Sequence, residues 1–137
     1  MIKAINHIGI AVKNIEESTE IFKKLLQFEN IHNETVEEQK VKIASFDLGG
    51  ILIELTQATD DDSPIAKFIA KNGEGIHHIA YETDDINGEL ARLKSENFRL
   101  IDESPRNGAH NMLISFLHPK STNGVLTEIC QSKKEDI

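Results

Sequence analysis

Polar and apolar residues alternate through residues 4 to 12, and a version of the same stretch returns at residues 76 to 83. Alternation with a period of two residues, together with enrichment in Ile and Val, is typical of a β-strand. When the two stretches are aligned, His7 falls on His78. The pattern therefore predicts an internal repeat whose two copies each begin with a histidine-bearing strand.

A second pair of apolar stretches follows in the same order. Residues 50 to 55 are echoed by residues 124 to 129, and this alignment places Glu54 on Glu128. Each half of the chain thus carries one His and then one Glu on strands that are otherwise apolar. The repeat predicts two equivalent halves with an imidazole and a carboxylate at matched places.

The elements between these strands follow from helical spacing and turn residues. Asn14 is a candidate cap for a helix that extends to about Gln27, and Gly49-Gly50 between two apolar runs indicates a hairpin. Asp84-Asp85 leads into a second helix, and Ser63 with Pro64 begins a short helix between the halves. The remaining strands are predicted near residues 28–35, 41–48, 51–56, 98–101, 112–117 and 125–131.

The predicted fold is α+β, with two tandem βαβββ modules. The first module covers about residues 4–57, a linker helix about 62–72, and the second module about 75–131 of a single domain, 1–137. The charged tail, residues 132–137, is expected to be loose. A chain of 137 residues with 39% apolar and 28% charged residues suits one globular domain.

Charge and cysteine content limit the partners and the location. A net charge of −8 argues against nucleic acid and anionic membrane surfaces as partners, since both attract cationic proteins. No run approaches the roughly 20 apolar residues that a membrane helix needs. The single cysteine, Cys130, cannot form an internal disulfide, which fits a reducing cytoplasm.

Four residues are candidate metal ligands: His7, Glu54, His78 and Glu128. One His or Glu in an apolar strand is usually a hydrogen-bonded core residue. Two buried carboxylates at matched places in a repeat are costly unless a cation or protons neutralise them. Two imidazoles and two carboxylates suit one borderline divalent ion per chain, Co, Ni, Zn or Mn, and the sequence does not choose among them.

Several local motifs resemble the methylmalonyl-CoA epimerases of the vicinal oxygen chelate superfamily, which includes glyoxalases and bleomycin resistance proteins. In order, they are residues 6–11 (NHIGIA), 62–68 (DSPIAKF), 75–80 (GIHHIA), 84–86 (DDI), 116–120 (FLHPK) and 124–128 (GVLTE). The resemblance implies a half-barrel with a metal cleft, in which His7, His78 and Glu128 bind the ion. Glu54 then takes the fourth position, where family members carry Gln or Glu.

The resemblance also implies an activity, the interconversion of (R)- and (S)-methylmalonyl-CoA through a metal-stabilised enolate. Inversion at C2 requires two acid/base groups, one on each side of the enolate plane. Some family members place a Glu on the third strand, where this chain has Ile43. Glu128 is therefore expected to be the first catalytic base and Glu54 the candidate for the second.

Three residues are candidate contacts for the acyl-CoA substrate. His118 and Lys120 lie at the last hairpin, where the alternatives are a solvated turn and a site for the substrate carboxylate or CoA phosphates. His110 lies in a loop that, by resemblance, closes over the cleft. His77 is expected to be structural because it points away from the face that carries His78. The family resemblance further implies a homodimer.

Two other functions are compatible with the same fold. Glyoxalase I uses a metal set of His, Glu, His and Glu, which this chain reproduces when Glu54 is counted, but residues 62–66 and 118–120 favour the epimerase. A protein that sequesters bleomycin-type antibiotics is the non-enzymatic alternative, and the complete set of four ligands counts against it.

Overall fold

The structure is a computed structural model, and residues 1–133 of it are described. Most of the tail predicted to be loose, residues 134–137, lies outside this part. The helices are α1 (Ile15–Leu26), α2 (Pro64–Asn72) and α3 (Ile86–Ser95). The strands are β1 (Ile2–Ala11), β2 (His32–Val36), β3 (Val41–Leu48), β4 (Ile51–Ala58), β5 (Gly75–Thr83), β6 (Arg106–Asn107), β7 (Met112–Leu117) and β8 (Leu126–Ser132). No helix among residues 1–133 is long and apolar enough to cross a membrane.

The chain divides into two compact units. The first unit is His7–His77, and the second combines Met1–Asn6 with residues 78–133. In the first unit the strand order is β2-β3-β4-β1, with β1 parallel to β4 and the other pairs antiparallel. In the second unit the strand order is β5-β8-β7-β6, with β5 parallel to β8 and the other pairs antiparallel. Both units therefore have the predicted βαβββ connectivity.

Each unit packs its long helix on one face of its strands. In the first unit Phe46 and Leu55 contact Ile15 of α1 in a buried cluster. In the second unit Ile86 and Leu90 of α3 pack against Ile129 of β8. Side chains alternate between the two faces of a strand, so Glu54 and Glu128 lie on the face that the helix leaves open.

The helix starts agree with the sequence prediction. The Asn14 side chain accepts a hydrogen bond from Glu17 N at 3.1 Å, and Asp85 accepts one from Gly88 N at 3.0 Å. Ser63 caps α2 by accepting from Ile65 N. These caps form locally, between residues two or three apart, which is why the sequence reveals them.

The predicted Gly49-Gly50 hairpin is also present. The φ angles of these glycines are +66° and +98°, a left-handed conformation that suits a two-residue hairpin turn and strains other residues. The turn sets the register of β3 and β4, in which Ser45 lies opposite Glu54.

The strand predicted at residues 98–101 is wrong. This segment makes only an isolated bridge, Leu100 to Leu117, and the short strand β6 lies instead in the predicted loop at 106–107. The reason is Asp102, whose carboxylate accepts the hydrogen bond of Phe116 N at 2.9 Å. A continuing strand would need that N–H group for a backbone carbonyl. In the first unit β2 begins at His32, four residues later than predicted.

Candidate functional site

The first His–Glu pair, His7 and Glu54, lies in the first unit. His7 Nδ1 is 3.3 Å from Glu54 Oε2, and both side chains are almost completely buried. β1 and β4 hold them, since these strands are parallel and Gly9 is the register partner of Glu54. The sequence analysis placed His7 and Glu54 on two otherwise apolar strands of this half, and in the structure these strands are neighbours.

The second His–Glu pair, His78 and Glu128, lies in the second unit. His78 Nε2 is 3.7 Å from Glu128 Oε1, and both side chains are buried. The strands that hold them, β5 and β8, are again parallel, with Ala80 opposite Glu128.

The register of the two pairs is identical. In each unit the Glu lies opposite the residue two positions after the His on the neighbouring parallel strand. Two residues along a strand face the same side, so both pairs have the same relative placement within their own units. Imidazole nitrogen and carboxylate oxygen are donors that borderline divalent ions accept, and both pairs can therefore act as metal ligands.

On the strand that bears each Glu, a glutamine side chain bonds to the start of the helix in the same unit. Gln57 Oε1 accepts the hydrogen bond of Ile15 N at 2.7 Å, at the start of α1. Gln131 Oε1 accepts that of Ile86 N at 2.9 Å, at the start of α3. Each glutamine lies three residues after the Glu of its unit. The first N–H groups of a helix have no partner within the helix, so this bond fixes the helix start to the site strand.

The side chains opposite the two carboxylates differ. Ser45, which is buried, is the register partner of Glu54. Phe116 is the partner of Glu128, and its ring lies edge-on to the His78 ring at 5.7 Å between centroids. The first His–Glu pair therefore has a hydroxyl beside its carboxylate, whereas the second has an aromatic ring.

Arg106, on β6, contacts the Phe116 ring beside the second His–Glu pair. The Arg106 guanidinium lies 5.8 Å from the centroid of the Phe116 ring, within the range of a cation–π interaction. Its Nε is 3.4 Å from Asp102 Oδ1. His110, a candidate substrate contact, is half-buried in the loop before β7 and has a left-handed backbone with φ of 57°.

His118 and Lys120, the other candidate substrate contacts, lie at a short 3₁₀ helix, Pro119–Ser121. His118 Nδ1 accepts the hydrogen bond of Lys120 N at 3.1 Å. Partial desolvation lowers the pKa of His118, and the positive charges of Arg99 and Lys120 lower it further. The Lys120 side chain is exposed, so its ammonium group is accessible to an anion.

His77 packs away from the pairs. Its ring lies edge-on to Phe68 of α2, with 4.9 Å between ring centroids, and burial lowers its pKa to about 4. A neutral ring packed against an aromatic side chain fits the structural role expected for it.

Three polar residues near the pairs were not predicted from the sequence: Ser45, Gln57 and Gln131. The hairpin register could have revealed Ser45, because a two-glycine turn fixes which residue of β3 faces Glu54. The repeat could have revealed the glutamines, since Gln57 and Gln131 align when the two glutamates are superimposed.

The sequence of this chain matches one protein superfamily and several of its members. The model of the Glyoxalase/Bleomycin resistance protein/Dioxygenase superfamily matches residues 6–116. An uncharacterized Bacillus subtilis protein, YqjC, is 41% identical over 129 residues, which cover 94% of this chain and 92% of the relative. The mitochondrial methylmalonyl-CoA epimerase of Dictyostelium discoideum is 40% identical over 126 residues, covering 91% of this chain and 76% of the relative.

Solved structures share the fold. A methylmalonyl-CoA epimerase in complex with methylmalonyl-CoA and NH4+ superimposes with a TM-score of 0.90 and 38% identity, over 96% of each chain. The predicted fold class, two tandem βαβββ modules of the glyoxalase type, is confirmed by this match.

Proposed function

Because the chain belongs to the glyoxalase/bleomycin resistance protein/dioxygenase superfamily, and to the methylmalonyl-CoA epimerases within it, we propose that it interconverts (R)- and (S)-methylmalonyl-CoA. The observation that carries this proposal is the repeated His–Glu pair, buried and held in the same register in both units. The proposal treats the chain as one domain of two modules, about residues 4–57 and 75–131, joined by a helix at about 62–72.

The proposal assigns one divalent ion per chain to His7, Glu54, His78 and Glu128. The donor set fits such an ion, since two imidazole nitrogens and two carboxylates suit Co, Ni, Zn or Mn. The burial of both carboxylates supports it as well, because a cation offsets the cost of placing negative charge away from water. When bound, the ion would withdraw electron density from substrate carbonyl oxygens and so acidify the proton at C2.

The carboxylates supply the proton transfers. We assign the removal of the C2 proton on one side to Glu128 and the delivery of a proton on the other side to Glu54. In the reverse direction the two residues exchange roles, as microscopic reversibility requires. Two groups are needed because the enolate plane separates the two faces of C2.

Two observations in the first unit support Glu54 as the second acid/base group. On β3 the position where some family members carry Glu is Ile43, whose side chain is apolar and buried. The neighbouring strand β4 provides the carboxylate of Glu54, and Ser45 lies opposite it. The hydroxyl of Ser45 is a potential donor to an ionised Glu54.

The candidate substrate contacts are assigned to the charged groups of the CoA thioester. Lys120 and His118 are assigned to the phosphates or the carboxylate, since the exposed ammonium group of Lys120 and the neighbouring Arg99 give this hairpin local positive charge. His110 is assigned to the loop that contacts the acyl group. These residues lie in the second unit, whereas the chain as a whole has a net charge of −8.

The assembly and location complete the proposal. We assign a homodimer on family resemblance, and a cytoplasmic location on the single buried cysteine, Cys130. Light scattering of the purified protein tests the first assignment.

The test of the proposed activity uses the protein loaded separately with Co, Ni, Zn and Mn. Protein with a bound ion should convert each epimer of methylmalonyl-CoA into the other.

His7→Ala and His78→Ala should each lose the ion, because each variant removes one nitrogen donor. Metal content is measured by elemental analysis, and full occupancy in both variants would overturn the proposed ligand set.

A side-by-side assay separates this activity from that of glyoxalase I. The same preparation should leave the hemithioacetal of methylglyoxal and glutathione essentially unchanged. The reverse preference would move the assignment to glyoxalase I, since both reactions transfer a proton next to a carbonyl group.

A further inference from the structure

Thr56, on β4 in the first unit, carries a buried hydroxyl to which the proposed function gives no role. Its side chain is 4% exposed, and its Oγ1 has no hydrogen-bond partner among the described residues. A buried hydroxyl that has left water without gaining a partner costs free energy, so native proteins rarely retain one unless something else satisfies it.

The neighbours of Thr56 explain why its hydroxyl has no protein partner. Its register partners are Ala11 on β1 and Ile43 on β3, both apolar and buried. Its backbone carbonyl accepts the hydrogen bond of Val12 N at 3.0 Å, so that oxygen has a partner within the protein. The residues directly opposite Thr56 on the two neighbouring strands therefore offer no side-chain partner for its hydroxyl.

Other buried hydroxyl groups have hydrogen-bond partners within the protein. Three of them donate to backbone carbonyl oxygens, those of Thr83, Ser115 and Thr127. Thr83, for example, donates to Met1 O at 3.1 Å and also accepts from Asp85 N. Thr56 therefore differs from buried hydroxyls whose role is structural.

The position of Thr56 indicates which ligand could satisfy it. Residues two apart on a strand face the same side, about 6 to 7 Å apart, so Thr56 lies beside Glu54 on the face opposite α1. The proposed reaction brings C2 of the substrate to the Glu54 carboxylate. The carboxylate and thioester groups are both bonded to C2, so an acyl oxygen would lie within a few ångströms of that point.

We propose that the Thr56 hydroxyl donates a hydrogen bond to an oxygen of the substrate acyl group, beside Glu54. This inference rests on the proposed function for the identity of the ligand. It adds a polar contact to β4 directly opposite Ile43, at the place where β3 offers only an apolar side chain. No proton is transferred to or from Thr56; the hydroxyl binds and orients the acyl group.

The test compares Thr56→Val, which keeps the shape and removes the hydroxyl, with Thr56→Ser, which keeps the hydroxyl. Thr56→Val should lower kcat/KM for methylmalonyl-CoA roughly three- to tenfold, the usual effect of one neutral hydrogen bond. Its thermal midpoint should be unchanged or raised, because an unsatisfied hydroxyl is removed. Thr56→Ser should keep most of the activity.

The matched control is Thr83→Val, which makes the same change where the hydroxyl is bonded within the protein. It should lower the thermal midpoint and leave kcat/KM unchanged. Wild-type kcat/KM in Thr56→Val, or equal losses in Thr56→Val and Thr56→Ser, would overturn the proposal, the second because the loss would then not depend on the presence of the hydroxyl.

Binding measurements keep this test separate from that of the activity. Calorimetry with methylmalonyl-CoA and with propionyl-CoA, which lacks the free carboxylate, needs no turnover. If Thr56→Val binds methylmalonyl-CoA more weakly but propionyl-CoA as wild type does, the contact is with the carboxylate. If it binds both ligands more weakly, the contact is with the thioester oxygen. Unchanged binding of both would contradict the inference even if the protein proves to be an epimerase. If Thr56→Val binds more weakly but the wild-type protein does not epimerise methylmalonyl-CoA, only the proposed activity is rejected.

Discussion

At the scale of single residues, the two carboxylates of the proposed site have different surroundings. Glu128 lies opposite Phe116, whose ring also contacts His78, whereas Glu54 lies opposite the hydroxyl of Ser45. The repeat places the two His–Glu pairs in the same strand register, but the side chains beside the two carboxylates differ.

Substitution of the first proposed base tests its role as a proton acceptor. Glu128→Gln keeps an oxygen donor of nearly the same shape but cannot accept a proton. The metal content should largely stay, while the rate of epimerisation should fall by roughly 10² to 10⁴, the usual contribution of a positioned acid/base group. A variant that keeps both its metal and its full rate would remove Glu128 from the mechanism.

Glu54→Gln discriminates between a ligand and a base. If Glu54 is the second base, one epimer should still exchange its C2 proton with deuterated solvent, while its conversion to the other epimer slows sharply. The two processes are followed separately by mass spectrometry and by a coupled stereospecific assay. Equal and modest losses for both epimers would leave Glu54 a ligand only.

At the scale of elements, the strands that carry the carboxylates also fix the helices. Gln57 and Gln131 each satisfy the first N–H group of the helix in their unit, so each connection joins a helix start to the strand that bears a Glu. Since both units retain it, we interpret the connection as part of the repeated architecture. It holds the helix on one face of the strand and the carboxylate on the other.

Removing this connection should cost stability. Gln57→Leu leaves the Ile15 N–H group without its side-chain acceptor, and the free energy of unfolding should fall by about 1 to 2 kcal/mol. Gln57→Glu is the matched control, because it keeps the oxygen and places a negative charge at a helix N-terminus, where it is favourable. Chemical denaturation measures both variants, and equal stability of Gln57→Leu and wild type would contradict this account.

The second unit contains an ion-pair cluster that should make stability depend on pH. Glu89 is 7% exposed and accepts hydrogen bonds from the Met1 ammonium, at 2.7 Å, and from Arg92. The bond from Met1 lowers the pKa of Glu89 most, followed by the bond from Arg92. A pKa below the unfolded value means that the stabilisation is present above about pH 4.5 and is lost as the pH falls further.

Glu89→Gln tests this cluster. At pH 7 the variant should be less stable by roughly 1 to 3 kcal/mol, because hydrogen bonds to a charged group are lost. The difference from wild type should shrink as the pH falls below about 4.5, because the wild-type carboxylate then becomes protonated. A difference that stays constant over this range, in urea unfolding followed by circular dichroism, would count against the assigned cause.

At the scale of the whole molecule, the sequence predicts best what the repeat and local spacing determine. The caps Asn14 and Asp85 and the Gly49-Gly50 turn depend on residues close in the chain, and the structure contains all of them. The His–Glu pairs follow from aligning the two halves. Burial and register within each unit then agree with that alignment.

Long-range contacts account for what the sequence did not predict. The strand expected at residues 98–101 fails because Asp102 bonds to Phe116 N, a contact across 14 residues that no local pattern indicates. The bond between Gln57 and Ile15 spans 42 residues and has no local signal either. The unsatisfied hydroxyl of Thr56 could be recognised only after the registers of β1 and β3 against β4 were known.

The proposed function depends on transfer of the C2 proton of a methylmalonyl thioester by this chain. The most direct test is to incubate the protein, loaded with a divalent ion, with racemic methylmalonyl-CoA in deuterated water and to follow the label at C2. We expect one deuterium at C2 in both epimers, incorporated at a rate that falls in His78→Ala. Epimers that stay unlabelled in the presence of metal-loaded wild-type protein would contradict it.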